Sequence, residues 1–364
     1  MTLAGVNTSL AIPRISAEVA GNSIASIIHA DLFSDGPSLN SRFELCVSLI
    51  GRPADLRWIT AISSAIPITI HAGQNGDAAD PVIFDGLLTS VSSDILNKVV
   101  VIRGTDWSYI LKNSTCQGSY SNLTSSEVVQ QIADKYGFTA EIAVSSTVVG
   151  SFRAGSFTHV ALNQHGQRGS DWDFLIELAR LDGFDLFFRG RTLIYCPPTE
   201  VPRNRTSLDI GNTFSLRFAR NAMVSGNTRI TVKSWNSWLG EMFLQEASTN
   251  YTAGFIDGDG SLPQQGSYIE MIRPDLSSQD VERLAQQAID NLASHGLNLD
   301  FSAQGDLSMA PRDIVIVSGV SDGLDGEYVV SALHRRFSPR SGFRQTVRAF
   351  AASSDAPTPS LSWE

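Results

Sequence analysis

The segment at residues 168–198 constrains the fold most, because it specifies a helix and its two ends within one short stretch. Ser170 followed by Asp173 is typical of a helix N-cap, where a hydroxyl accepts from free backbone amides and a carboxylate favours the positive helix end. The apolar residues that follow keep the i, i+3, i+4, i+7 spacing of one helix face: Trp172, Leu175, Ile176 and Ala179. Gly183 supplies the left-handed residue that ends many helices.

Two β-rich runs complete this segment. Residues 184–188 and 192–196 predict strands joined by a turn, and Pro197 and Pro198 remove the backbone donors that a longer ladder would need. The segment therefore predicts a helix, a strand, a turn and a strand.

The beginning of this segment has a near copy upstream. The sequence RGTDWSYIL at residues 103–111 is similar to RGSDWDFLI at residues 168–176. We interpret the pair as a repeated device, a capped helix with an aromatic anchor, although so short a match also arises by chance. Neither copy has a catalytic pattern.

Composition limits the functional class. A chain of 364 residues is too long for one core, so about two to four domains are expected. Hydrophobic residues make up 42% and charged residues 18%, with 29 glycines and 14 prolines, which favours a turn-rich β protein. The formal net charge of −10 argues against binding nucleic acid or an anionic membrane through bulk electrostatics.

The remaining global signals indicate a chain that is made in the cytoplasm and stays unprocessed. Cys46, Cys116 and Cys196 lack the spacing of a zinc site or a disulfide framework, so we expect ordinary core thiols. The first residues do not have the pattern of a signal peptide, and no apolar run approaches the roughly 20 residues that span a bilayer.

Residues 14–103 predict one strand after another, as expected for an antiparallel barrel or sandwich. The predicted strands are residues 15–20, 23–33, 43–50, 66–72, 82–93 and 98–103. Further on, Thr124 and Glu127 predict a capping box for a helix that Gly137 ends, followed by a strand at residues 138–142.

The last third of the chain alternates between the two kinds of pattern. Residues 207–218 and 229–234 predict strands, and residues 235–266 predict a long loop or an inserted element. Ser277 with Asp280 predicts the N-cap of an amphipathic helix that ends near Gly296, and residues 298–352 are again β-rich.

The chain has none of the sequence motifs of metalloproteases, α/β-hydrolases, phosphate-binding loops or dinucleotide-binding folds. Of the six histidines, only His159 and His165 are close enough in a loop to suggest a weak metal site. Residues 257–260, with sequence DGDG, resemble a calcium loop, but Tyr268 occupies the position where an EF-hand needs glutamate. We therefore predict no catalytic, cofactor-binding or metal residue and no cofactor.

The order of three motifs is the most specific signal in the chain. They are Gly104-Thr105-Asp106-Trp107 before the helix at 124–136, Ser170-Asp171-Trp172-Asp173 continuing to Gly183-Phe184, and Asp325-Gly326-Glu327-Tyr328 with His334. With these motifs in this order, the chain resembles the baseplate hub family of contractile phage tails, the late control gene D proteins, whose relatives include the base of VgrG spikes.

This resemblance implies a structural, late-expressed virion protein of the tail baseplate, synthesised in the host cytoplasm. It implies a homotrimer that joins the sixfold tail tube, or a distal tube-end protein, to a threefold spike beside other baseplate proteins, with DNA only passing through its lumen and no membrane segment. VgrG proteins continue into a small barrel and a β-helix, and some phage hubs carry a lysozyme insertion. Since this sequence has neither, a separate spike protein is expected.

The predicted fold is α+β and mainly β, with two antiparallel β-barrel tube domains and an inserted α+β body. The predicted domains are a first barrel (1–111), an α+β middle domain (112–206), a second barrel (207–234 with 298–352), an inserted loop and helix of the middle body (235–297) and a tail (353–364). A threefold adaptor matches a sixfold tube only if each chain offers two similar faces, so the two barrels are expected to be versions of one barrel.

Two other functions stay open. A tail-associated peptidoglycan hydrolase would need an acidic pair facing a cleft. A carbohydrate-binding adhesin module would need stacked exposed tryptophans, and Trp235 with Trp238, taken as sharing one strand face, are the candidates. The same two residues would equally fill a core or a subunit interface.

Overall fold

The computed structural model describes residues 14–24, 26–36, 39–50, 64–73, 81–94, 96–115, 120, 123–145, 148–149, 169–198, 200–201, 203–220, 229–236, 239–248, 268–273, 276–294, 296–320 and 324–352. The described chain is mainly β. It divides into two compact units. The first comprises Met1–Glu200, Ala303–Met309 and Leu333–Thr346, and the second comprises Val201–Ser302, Ala310–Ala332 and Val347–Glu364.

The strands and helices are numbered along the chain. Strands before the midpoint are β1 (Arg14–Val19), β2 (Asn22–Ile24), β3 (Ile27–Ser34), β4 (Arg42–Ser48), β5 (Ile66–Gly73), β6 (Val82–Asp94), β7 (Val99–Thr105), β8 (Leu123–Thr124), β9 (Thr139–Ile142), β10 (Val148–Val149), β11 (Asp185–Arg189) and β12 (Thr192–Cys196). Later strands are β13 (Arg205–Ser207), β14 (Thr213–Arg220), β15 (Arg229–Asn236), β16 (Glu241–Ser248), β17 (Tyr268–Ile272), β18 (Leu297–Gln304), β19 (Ile314–Val317), β20 (Gly326–Ser338) and β21 (Gly342–Ala351). The helices are α1 (Ser108–Lys112), α2 (Ser125–Tyr136), α3 (Asp171–Asp182) and α4 (Ser278–Ser294).

The main sheet of the first unit has the strand order β20-β3-β4-β7-β6-β5-β1-β2, and its pairs are antiparallel. The predicted strands of residues 14–103 are all present, except that the predicted strand 23–33 is divided into β2 and β3. The two parts have different partners: β2 returns onto β1 after a turn in which Ala20 and Gly21 have φ of 48° and 80°, whereas β3 pairs with β4 and β20. The described strands do not close into a barrel, so the barrel stays a prediction.

One face of this sheet carries the apolar core. Alternate residues of each strand point into it, as the two-residue period of a half-buried strand requires. Its fully buried members include Ala17, Val19, Ala30, Leu32, Leu45, Val47, Ile68, Ile70, Leu88, Ile102 and Phe337. Since Phe337 belongs to β20, the C-terminal part of the chain completes a core that the N-terminal strands begin.

The first unit also contains the α+β layer predicted for the middle of the chain. Here α2 and α3 pack near the three-stranded sheet β11-β12-β9, around a core that includes Trp107, Trp172 and Tyr195. Both predicted caps are confirmed, because Thr124 and Ser170 each form a capping box. Gly137 and Gly183 end these helices with φ of 67° and 68°.

The two similar segments differ in structure. The second is a capped helix, α3, with Trp172 in its first turn. In the first, Thr105 ends strand β7, and the N-cap of the five-residue α1 is Trp107, which makes no side-chain cap hydrogen bond; the Asp106 carboxylate accepts from the Ser108 amide instead. The repeated capped helix is therefore wrong for the first copy, whereas the aromatic anchor is present in both, since Trp107 and Trp172 are buried in the same core.

In the second unit the strand order is β14-β18-β21-β20. Strand β19 pairs with β20 and with β13. A separate three-stranded sheet has the order β16-β15-β17. Helix α4 packs on one face of it through Val281, Ala285 and Ile289, against Ile230 and Val232 of β15. The prediction had assigned β15 to the second barrel, but its partners are β16 and β17.

Two predictions in this region are corrected. The predicted strand 207–218 begins too early. Ser207 is the last residue of β13, which pairs with β19. Asp209 then accepts from the Gly211 amide and the chain turns through a 3₁₀ helix at Ile210–Asn212, so the strand itself, β14 beside β18, starts at Thr213. The predicted loop 235–266 contains strand β16, which follows a hairpin turn where Gly240 has a φ of 66° and donates to the Asn236 carbonyl.

Candidate functional site

The residues singled out from the sequence lie partly outside the described structure. Five of them lie outside the described residues: Cys116, His159, His165, Trp238 and the DGDG segment at 257–260. Within the described ranges, His, Cys, Asp and Glu side chains form no group of three or more that could hold a metal ion. No helix of the described chain is long and apolar enough to span a bilayer. Cys46 and Cys196 are free thiols. Both are half-buried, so the prediction that they are core thiols is wrong for these two.

Asp106 is the first of several buried carboxylates in and beside the α+β layer. It accepts from the Ser41 amide at 2.6 Å and from the Ser108 amide at 3.1 Å. Burial raises the pKa of Asp106, although these hydrogen bonds partly oppose that effect. Asp106 therefore joins the loop before β4 to the start of α1, which is a structural use of the carboxylate.

Asp171, at the start of α3, is the second. It accepts from Lys135 Nζ at 2.9 Å and from the Tyr136 hydroxyl at 2.5 Å. Burial raises the pKa of Asp171, but the bonds from Tyr136 and Lys135 outweigh burial and lower it overall. The contacts of Lys135 with Tyr136 and with Asp171 raise the pKa of Lys135. The carboxylate ties the end of α2 to the start of α3, so it too supports the fold.

A polar network surrounds Asp31 on the first unit, where β3 meets β20. One carboxylate oxygen of Asp31 lies 2.6 Å from His29 Nε2, and the other lies 2.6 Å from His334 Nε2 and 2.9 Å from Arg336 Nε. Burial raises the pKa of Asp31, but the bonds from Arg336, His334 and His29 lower it overall. The network links strands that are far apart in sequence.

The residues beside this network are also charged or aromatic. The His334 ring stacks on Phe33 at 4.2 Å, and the Arg42 guanidinium lies 4.5 Å from the Phe33 ring centre. On the same face of the sheet, Arg103 donates to Glu44 at 2.7 Å. Because each carboxylate faces at least one cation at hydrogen-bonding distance, the region is a self-satisfied surface and not an open acidic pair.

The sheet β16-β15-β17 has an outer face, opposite α4, that is apolar and exposed. Register places Trp235 beside Met242, and Leu244 in one row with Lys233 and Ile272. The exposed fractions of its large apolar residues are Trp235 57%, Met242 60%, Leu244 47% and Ile272 72%. We call these four residues, with the charged rows next to them, the outer face.

The charged rows of the outer face are paired internally. Lys233 lies 2.9 Å from Glu270, and Arg229 lies 3.8 Å from Glu246. Trp238, the second residue of the predicted tryptophan platform, lies outside the described residues, and strand β15 ends at Asn236. Trp235 and Trp238 are three positions apart in the sequence. On a strand, positions three apart point to opposite faces.

Strand β14 is a second exposed element of the second unit. It ends the order of the strands that the structure describes, where it lies next to β18. None of its residues is buried, Phe214 is 57% exposed, and Arg217 and Arg220 are also exposed. A long exposed edge strand of this kind is a template for pairing or packing with another chain.

Comparison with known families assigns the chain. Residues 64–338 match the family described as the Alg8 N-terminal domain. The chain belongs to this family. A search of curated proteins found no match to the sequence.

The fold of this Alg8 N-terminal domain chain is similar to those of several solved structures. It is similar to the tail protein from Neisseria meningitidis MC58, with a TM-score of 0.68 and 12% identity over 95% of this chain and 98% of that one. It is also similar to the 43 kDa tail protein of prophage MuSo2 from Shewanella oneidensis, with a TM-score of 0.64 and 12% identity over 94% and 98%. A third structure is a type VI secretion component of E. coli described as similar to the T4 tail proteins gp27 and gp5, with a TM-score of 0.59 and 10% identity over 95% and 79%. The chain therefore has the fold of phage tail proteins.

Proposed function

We propose that this protein is a structural hub of a contractile phage tail or of a related injection system. In this proposal it is a homotrimer in the baseplate that joins the sixfold tube to a separate threefold spike and forms part of the DNA conduit. It carries no catalytic activity and uses no cofactor.

One observation carries the proposal. The similarity to two tail proteins extends over nearly the whole of both chains, so the chain shares their complete fold and not a single common domain. Fold alone does not determine function, but the absence of a recognisable catalytic motif in the sequence and the structural use of Asp106 and Asp171 favour the same conclusion.

The charge of the chain supports a conduit that does not retain DNA. With 37 acidic and 27 basic residues, the assembled ring would repel phosphates on average. We propose that the lumen is neutral or acidic. We also propose that two strand-rich regions, residues 14–111 and residues 207–220 with 298–352, are two versions of one tube barrel, with β15 outside the second one.

Native mass spectrometry and electron microscopy of the purified chain test this function. We expect the mass of three chains and a ring with threefold symmetry, with two superposable barrel domains per chain. A chain that stays monomeric at micromolar concentration would refute the hub. In a cell-wall zymogram we expect no clearing, and a clearing band that disappears after replacement of one acidic residue would establish the hydrolase instead.

A further inference from the structure

We propose that the outer face of the sheet β16-β15-β17 is a docking surface for a second copy of this chain, and that strand β14 of the second copy is what binds there. This inference deepens the proposed trimeric hub and rests on it. It assigns the subunit contact to two elements of the second unit.

The outer face has the size and composition of an interaction site. Trp235 and Met242 are directly opposite each other, and Leu244 and Ile272 lie in the next row on either side of Lys233, so the four residues surround the Lys233 side chain on one face. From their exposed fractions, they leave on the order of 400 Å² of apolar surface in contact with water. Apolar patches of a few hundred Å² that are bordered by polar residues mark binding surfaces in soluble proteins.

The charges of the outer face indicate the kind of partner. Its cations among the described residues, Arg229 and Lys233, already lie beside Glu246 and Glu270, so this part of the face offers no unpaired cation to a phosphate or an anionic lipid. Arg229 and Glu246 are largely solvent-exposed and 3.8 Å apart, which makes their pair weak. The Glu246 carboxylate is therefore free to accept a stronger bond from an incoming arginine.

Strand β14 has the complementary features. Phe214 supplies an exposed apolar ring, and neither Arg217 nor Arg220 forms an ion pair within the described residues. Among the described strands it ends the sheet order, and none of its side chains is fully buried. Apolar contact with Trp235 and Met242, and arginine contact with Glu246, would bury what both elements leave exposed.

The two surfaces are different parts of one chain, which determines the symmetry of the contact. When the outer face of one copy binds strand β14 of the next, the contact is head-to-tail. Repeating this contact closes a ring if the rotation between copies is suitable. A threefold ring of this kind is what the hub requires. A face-to-face contact between two outer faces would instead give a twofold dimer.

Cysteine cross-linking tests the pairing directly. Met242→Cys and Phe214→Cys are made in separately tagged chains, and the two are co-expressed and oxidised. We expect a disulfide-linked pair only when both variants are present, with the wild-type chain as the control for the native cysteines. A cross-link within the Met242→Cys protein alone would indicate a face-to-face contact and overturn the proposal.

A pair of charged substitutions tests the energetic role of the face. Met242→Glu with Ile272→Glu should weaken trimer formation at least tenfold, measured by mass photometry across a dilution series. The matched control is Leu96→Glu with Val144→Glu, which changes two exposed apolar residues of the first unit, 94% and 90% exposed, and should leave association unchanged. Circular dichroism and melting confirm that both proteins fold.

The outcomes separate this inference from the function on which it rests. If the wild type is a trimer, the cysteine variants do not cross-link and Met242→Glu with Ile272→Glu does not weaken trimer formation, the docking surface is refuted and the hub is not. A wild-type chain that does not self-associate refutes both. If the Met242→Glu, Ile272→Glu variant stays trimeric but no longer binds another tail component, the outer face binds that component, and a second copy as its occupant is refuted.

Discussion

Replacing Gly104 with alanine would test how tightly the first unit packs its sheet. Gly104 lies on β7 between β4 and β6, under the ring of Phe43. A Cβ at this position would be 2.0 Å from the Leu87 carbonyl oxygen and 2.5 Å from the nearest atom of the Phe43 ring. The first of these atoms is backbone, so the strand itself has to move.

The expected loss follows from two opposing effects. Forcing an extra methyl group into a packed core destabilises a protein by about 1–3 kcal/mol, and a contact with backbone belongs at the upper end of this range. Alanine gains roughly 0.5–1 kcal/mol over glycine in a strand, because it loses less conformational freedom on folding. The net loss in the free energy of unfolding should be about 2 kcal/mol, which lowers the melting temperature of a unit of this size by roughly 4–8 °C.

The control is Gly169→Ala, which changes the equivalent glycine of the similar segment. A Cβ there would meet nothing nearer than the Asp173 side chain at 3.5 Å, which is ordinary van der Waals contact. We expect its stability to stay within about 0.5 kcal/mol of the wild type. Calorimetry of the two variants and the wild type gives the comparison, and equal melting temperatures for Gly104→Ala and Gly169→Ala would refute the packing argument.

Three further predictions concern polar contacts. Because the pKa of Asp31 is lower in the folded protein, the bonds that Asp31 receives stabilise the fold above the unfolded pKa near 4 and are lost as the pH falls through the folded pKa. Asp31→Asn should therefore lower the free energy of unfolding by about 2 kcal/mol near neutral pH. Urea titrations should show the difference between variant and wild type narrowing towards pH 3. Arg335 is buried and donates to the carbonyls of Asp306, Leu307 and Met309, so Arg335→Met should lower the free energy of unfolding by about 2–4 kcal/mol, whereas the exposed Arg340→Met should have no measurable effect. Burial raises the pKa of Tyr328 to about 12, so ultraviolet titration should show a late-ionising phenol that Tyr328→Phe removes, and a normal titration curve in the wild type would contradict this.

Local signals in the sequence predicted the elements well. Both capping boxes of the α+β layer are present, and Asp280 accepts from the Ser277 hydroxyl at the start of α4. The two glycines that end α2 and α3 have the left-handed conformation that their residue type favours. These features depend on residues within one or two turns of each other, which is the range over which a sequence pattern is informative.

Pairing between distant segments could not be predicted in the same way. Strand β20 joins β3 through contacts such as that between His334 and Asp31, which are 303 positions apart. Nothing in the local pattern of either strand selects the other. For the same reason the similarity of residues 103–111 to 168–176 does not extend to their packing. The neighbours of Gly104 come from β4 and β6, whereas the described atoms nearest to a Cβ at Gly169 belong to Asp173 of its own helix.

Strand β16 shows why an exposed surface can look like a loop in the sequence. Its residues Met242, Phe243 and Leu244 do not alternate between polar and apolar, so they lack the period that marks a half-buried strand. In the structure Phe243 faces α4, whereas Met242 and Leu244 lie on the outer face. A strand that is apolar on both sides but covered on only one is what a subunit interface requires of a single chain. The missing period is therefore explained by the same second copy that the outer face is proposed to bind.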